Sequence, residues 1–141
     1  MTHSALVEAF FETVWKSGDE TAALEFFHPD AHASGLGSDM EFDPRDFVTF
    51  VQSILMLISA PRMKVLRAVE QRDWLSLHLR CNALSRLSGA RIEFTGQLMV
   101  RIKDGKIAEA YNHFDLVAFF VQMGFVPEDV VEKVLAGYAP A

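Results

Sequence analysis

Asp104-Gly105 sits between two runs of alternating polarity, residues 97–102 and 107–114. Asp-Gly favours the left-handed backbone of a two-residue hairpin turn, whose twist matches the strands it joins. The pair therefore predicts a β-hairpin and also a register, because side chains on a strand alternate between faces and a one-residue slip exchanges them all. Counting outward from the turn pairs Ile102 with Ile107, Val100 with Glu109 and Leu98 with Tyr111. It continues with Gly96 opposite His113 and Phe94 opposite Asp115.

Ser88-Gly89 is a weaker turn signal of the same kind, after a strand over 75–84. On that strand Leu75, Leu77, Leu79, Cys81 and Ala83 share the face of Phe94, Leu98, Val100 and Ile102. The face is apolar apart from Glu109, Tyr111, His113 and Asp115, so its polar groups are all expected from the last strand. Ser76, His78, Arg80, Asn82, Gln97 and Arg101 fall on the opposite face, mixed with Trp74, Met99 and Phe114.

Upstream of Met63 the apolar period is helical rather than alternating. Leu6, Val7, Phe10, Phe11, Val14 and Trp15 predict a first helix with Ser4 at its N-cap; Ser17-Gly18 breaks it. Asp19 caps a second helix, which stops at His28-Pro29, and a short strand follows over 30–36 before a polar, glycine-containing loop. Asp43-Pro44 opens a third helix, with Asp at N-cap and Pro at N1. Phe47, Phe50, Val51, Ile54, Leu55 and Ile58 give it a wide apolar face. After the meander, residues 116–123 form another helix ended by Gly124, and Pro127 starts a last short one. Helices, then an antiparallel meander, then a closing helix make an α+β chain with helices on one face of a curved sheet.

Composition narrows the partners. The chain has 141 residues, half of them hydrophobic and twelve of them Phe, enough for one domain over residues 1–141 with a large core. Thirteen basic against nineteen acidic residues leave a net charge of −6, which argues against nucleic acid or an anionic membrane surface as partner. Cys81 is the single cysteine, so neither an internal disulfide nor a thiolate zinc cage can form. No basic-then-apolar leader is visible at the N-terminus, and the longest apolar run is too short for a bilayer; a cytoplasmic protein is expected.

Asp104-Gly105-Lys106-Ile107, then Glu109, Asp115 and Gln122-Met123-Gly124, together with Phe26-Phe27-His28-Pro29-Asp30, resemble the NTF2-like superfamily, particularly its SnoaL-like polyketide cyclase branch. The resemblance covers nearly the whole chain. It implies a cone-shaped fold, in which a curved antiparallel sheet wraps around the N-terminal helices and leaves a pocket on its concave face. It also implies cofactor-free acid/base chemistry, an isomerase, cyclase or related lyase acting on a polyketide- or steroid-like carbonyl compound. His113-Phe114-Asp115 is similar to that family's His-x-Asp, which makes Asp115 the candidate base and His113 its partner. A homodimer through the outer sheet face, with His78, Arg80, Asn82 and Arg101, is a further implication.

The residues themselves are compatible with that chemistry. His113 and Asp115, two apart on a strand, address the same face about 6–7 Å apart. Gly96 opposite His113 leaves room for a ligand, and Phe94 opposite Asp115 desolvates the carboxyl, which raises its pKa. Tyr111 is placed to donate a hydrogen bond to a developing enolate oxygen. Phe94, His32, Phe50 and Ile54 complete the expected ligand-binding set. Each polar residue has a structural alternative: Asp115 as the N-cap of the following helix, His113 as a core histidine, Tyr111 as a packed aromatic, Glu109 as an ion-pair partner. No cofactor and no metal ligand set is expected, since no His follows Asp115 to complete a facial triad. A non-catalytic module binding a small apolar ligand fits the same pattern.

Overall fold

Residues 2–36 and 41–137 are described by the structure, a computed structural model; the expected polar loop after Leu36 lies largely outside them. Helix α1 (His3–Phe10) continues into a π-helical segment, Phe11–Lys16, whose wider turn keeps Phe11, Val14 and Trp15 buried alongside Phe10. Its N-cap is Thr2, whose hydroxyl accepts from the Ala5 N–H at 3.0 Å, two residues before the expected Ser4. Asp19 caps a 3₁₀ turn, Glu20–Ala22, that leads into α2 (Ala23–Phe26). The chain is already extended at Phe27, so β1 (Phe27–Ser34) begins earlier than the sequence suggests and carries Pro29 within a register irregularity, where no ladder hydrogen bond is lost.

Helix α3 (Pro44–Leu55) starts as the Asp43-Pro44 signal requires. The Asp43 carboxylate accepts from the Asp46 N–H at 2.8 Å, and the Asp46 carboxylate accepts from the Asp43 N–H at 3.1 Å. This reciprocal arrangement satisfies N-terminal donors that helical geometry leaves open. Ile58, expected on the helix face, instead begins strand β2 (Ile58–Gln71).

Strands β2, β3 (Trp74–Ser85), β4 (Arg91–Lys103) and β5 (Lys106–Phe114) form an antiparallel meander, and β1 adds to β5 in parallel, giving the order β1-β5-β4-β3-β2. Asp104 and Gly105 have φ of 53° and 72°, the left-handed pair expected of the hairpin. The β3–β4 connection is longer than Ser88-Gly89 alone implies, with Leu84 opposite Arg91; the offset is even, so the inward set is unchanged. Leu75, Leu77 and Leu79 are fully buried on that face, each contributing about 1.5–3 kcal/mol by leaving water.

Strand β5 corrects the register. Ile102 opposes Ile107, but Arg101 opposes Glu109, so Ala108 is an extra residue, a β-bulge. Beyond it every side chain changes face. Ala110, Asn112 and Phe114 point toward the helices; Glu109, Tyr111 and His113 point outward. The physical reason lies in Glu109. Opposite Val100 it would be a carboxylate among apolar side chains, a costly arrangement without a partner, whereas the bulge sets it beside Arg101.

The helices cover the concave face. Val7, Phe10, Val14, Phe47 and Val51 pack against Leu77, Leu79, Leu98 and Val100. A smaller cluster of Ile58, Ala83, Ile92, Phe119 and Met123 lies beneath α4 (Leu116–Gln122). Gln122 fastens that helix to β4, accepting from the Glu93 N–H and donating to the Glu93 carbonyl, both at 2.8 Å. A last helix, α5 (Val130–Leu135), buries none of its residues. No helix among the described residues is long and apolar enough to cross a membrane.

Candidate functional site

Between the helices and the concave sheet lies a cavity of about 100 Å³. Phe10, Phe11 and Trp15 form its helical wall, Phe50 and Ile54 of α3 one side, and Phe94, Phe114, Leu116 and Phe119 the end beneath α4. Gly35, Leu36 and Asn112 meet it from the β1–β5 side. Aromatic edges interlock around it: Phe94 lies at 6.4 Å from Phe114, edge to face, and at 5.3 Å from Phe119. Such pairs hold one another in place beyond simple burial.

Among the described residues, polar atoms on the wall's side chains are confined to Asn112, the Cys81 thiol, the Met63 thioether and the Trp15 indole. No carboxylate, imidazole, hydroxyl, ammonium or guanidinium side chain lines the cavity among the described residues. Asn112 is 6 % exposed, and its amide donates to the Ser34 carbonyl at 2.9 Å, which ties β5 to the end of β1. Gly35 makes that approach possible: its φ is +80°, and a Cβ there would lie 1.8 Å from the Asn112 carbonyl oxygen. Burial pushes the Cys81 thiol up to about 12, so it stays protonated and behaves as an apolar group.

Of the residues singled out from sequence, Phe94, Phe50 and Ile54 line this cavity. His113 does not: it is exposed on the outer sheet face, opposite Gln97. Gly96, expected to make room beside His113, instead opposes Phe114, and a Cβ on it would lie 2.1 Å from that ring. Asp115 follows the last residue of β5 and caps α4, its carboxylate accepting from the Ala118 N–H at 3.0 Å. It is exposed, with its own N–H donating to Thr95 rather than standing opposite Phe94.

Tyr111 and His32 do meet, on the outer face. Their rings are 6.4 Å apart, edge to face, and Trp74 stacks on Tyr111 at 6.3 Å. Glu109 is the hub of this group. It pairs with Arg101, accepts from the Tyr111 hydroxyl at 2.7 Å, and lies 3.8 Å from His32 Nε2. The Arg101 bond, with the Tyr111 bond next, holds the Glu109 carboxyl below its ordinary value, and the bond to Glu109 raises Tyr111. The ion-pair alternative for Glu109 is the arrangement found.

Asn112, Phe114 and Gly35 are among the cavity residues that sequence reasoning missed. The available signal was the Arg101–Glu109 pairing, since placing those charges side by side moves Asn112 and Phe114 inward. Among the described residues no group of three or more His, Cys, Asp or Glu is placed to hold a metal ion.

A family model described as SnoaL-like polyketide cyclase matches residues 5–123. No curated protein matches the chain. Among solved structures, AclR from Streptomyces galilaeus, named as a candidate hydroxylase, superposes with a TM-score of 0.76 at 20 % identity, covering 94 % of this chain and 88 % of its own. IdmH from Streptomyces antibioticus, named as a candidate polyketide cyclase, gives 0.74 at 20 % identity, over 86 % and 97 %. A protein from Catenulispora acidiphila with a ketosteroid isomerase-like fold gives 0.75 at 11 % identity, over 99 % and 100 %. The curved sheet over N-terminal helices is the fold these structures share with this chain.

Proposed function

The chain belongs to the SnoaL-like polyketide cyclase family, and from that premise we propose that it binds a small apolar molecule in the cavity between helices and sheet. One observation carries this reading: the wall offers shape and apolar surface but, among the described residues, no side chain that exchanges a proton near neutrality. General acid/base catalysis requires a titrating group within hydrogen-bond reach of the reacting atom. The test is to incubate the protein with an aryl ketone, measuring binding by calorimetry and product by chromatography. Binding without turnover is expected; turnover would overturn the purely binding role.

A second reading, favoured by the family match, is a cofactor-free isomerase or cyclase for a polyketide- or steroid-like carbonyl compound, with Asp115 as base and His113 beside it. Asp115 is flanked by Phe114 and Leu116, both on the cavity wall. Asp115→Asn separates the readings cleanly because Asn caps a helix as well as Asp does. Lost turnover with unchanged stability and retained binding supports the catalytic reading; a variant equal to the parent in all three eliminates Asp115 as base.

The proposal extends to a cytoplasmic homodimer through the outer sheet face. Met99 and Trp74 are apolar there, and Arg80 pairs with Glu93 at 3.2 Å on the same surface. Charges of both signs on one face suit a second copy related by two-fold symmetry. Light scattering tests it: twice the chain mass is expected, and Met99→Glu is expected to halve it.

A further inference from the structure

Resting on the binding reading above, we infer that the cavity selects an uncharged molecule of single-ring size bearing one hydrogen-bonding oxygen, anchored on Asn112, and rejects fused polycycles. Size is the first argument. The cavity holds about 100 Å³, whereas one that encloses benzene holds about 150 Å³ and drug-sized pockets begin near 300 Å³. A single ring therefore enters with small side-chain adjustments, whereas a fused tricycle has to displace a wall or stand partly outside the cavity.

The wall in question is fixed. Phe114 stands directly over Gly96, where any Cβ would meet its ring, and its edge is held by Phe94. The Gly96 backbone lies directly behind the ring and closes retreat in that direction. Charge is the second filter, because a carboxylate or ammonium buried here finds no opposite charge among the described residues of the wall. The anchor follows by elimination among the wall's polar groups. The Cys81 thiol and the Met63 thioether are weak partners, and the indole of Trp15 only donates. Asn112 has two amide hydrogens, of which one goes to Ser34. Its second N–H and its Oδ1 have no partner among the described residues.

The test is a ligand series on the full chain, with affinities read by calorimetry: acetophenone, 2-acetylnaphthalene, 2-acetylanthracene, ethylbenzene and benzoate. Acetophenone is expected to bind most tightly, with about a tenfold loss for each added ring and benzoate at least as weak as the anthracene. Ethylbenzene, of the same shape without the oxygen, is expected to bind about fivefold more weakly. Asn112→Leu is expected to abolish that last difference, and Phe114→Ala to admit the naphthalene. Acetylanthracene binding as tightly as acetophenone overturns the size filter while leaving the binding reading intact. An unchanged oxygen preference in Asn112→Leu overturns the anchor. Binding of none of the five overturns the binding reading as well. The parent and Phe114→Ala measurements decide the size filter even if Asn112→Leu fails to fold.

Discussion

Gly96 and Phe114 show how a single hydrogen in place of a methyl group shapes the cavity. The glycine's backbone conformation is ordinary; what it supplies is space, since a Cβ would lie 2.1 Å from the Phe114 ring. Gly96→Ala must drive that ring away from β4. A loss of about 1–3 kcal/mol is expected from such overpacking, read as a lower urea midpoint. Acetophenone binding should weaken in the same variant. Undiminished stability together with undiminished binding would mean that the ring has another place to go. Glu109 carries a prediction of a different kind. Its carboxyl is held below the ordinary value by Arg101 first and Tyr111 second. A depressed carboxylate pKa adds stability above the unfolded value, near 4.5, and loses it as pH falls through the folded value. Glu109→Gln should therefore lower the thermal midpoint at neutral pH and leave it nearly unchanged at about pH 2–3. Equal shifts at both pH values would assign the effect to packing rather than charge.

The bulge in β5 is the element on which the inner and outer surfaces turn. Ala108 adds one residue between the Ile102–Ile107 and Arg101–Glu109 pairs. Deleting Ala108 restores a regular hairpin with Glu109 still outward and Asn112 still inward. Deleting Ala110 leaves the bulge in place and turns Tyr111 inward, or else absorbs it and buries Glu109. The second deletion is expected to be worse by roughly 2 kcal/mol or more in urea unfolding. The reverse order would place the extra residue elsewhere. The bulge also marks where the sequence stops being legible. Asp43-Pro44 and Asp104-Gly105 each carry their own backbone chemistry, so a helix start and a hairpin could be read without the rest of the chain. The face of β3 was legible because Leu75 to Ala83 alternate without interruption. Ala108 has no such mark: no glycine, no proline, and a side chain small enough for either face. Only the non-local cost of burying Glu109 decides its position. That cost also explains why Glu109, Tyr111 and His113 read as an inward row when they face outward. Asp115 was legible as a helix cap, a role that local hydrogen bonding settles.

At the scale of the whole molecule, most of the twelve Phe serve two purposes that composition cannot separate, while Phe120 and Phe125 are exposed. Phe47 belongs to the closed core, while Phe10, Phe11, Phe50, Phe94, Phe114 and Phe119 reach both core and cavity. A cavity bounded by stiff rings is maintained by the fold, because each ring is braced by another and collapse would need several to move together. Cys81 gives this a measurable form, since its thiol lies on the cavity wall and is 5 % exposed. With its pKa pushed up to about 12 from an ordinary 9.0, the folded chain holds about a thousandfold less thiolate at neutral pH than an unfolded one. Labelling by a thiol reagent should accordingly be strongly slowed in the folded chain, and should accelerate in low urea as the helices lift from the sheet. A bound acetophenone should slow it further by filling the space beside the sulfur. Rapid labelling of the native chain at neutral pH would mean that the cavity opens to solvent far more readily than its braced wall implies.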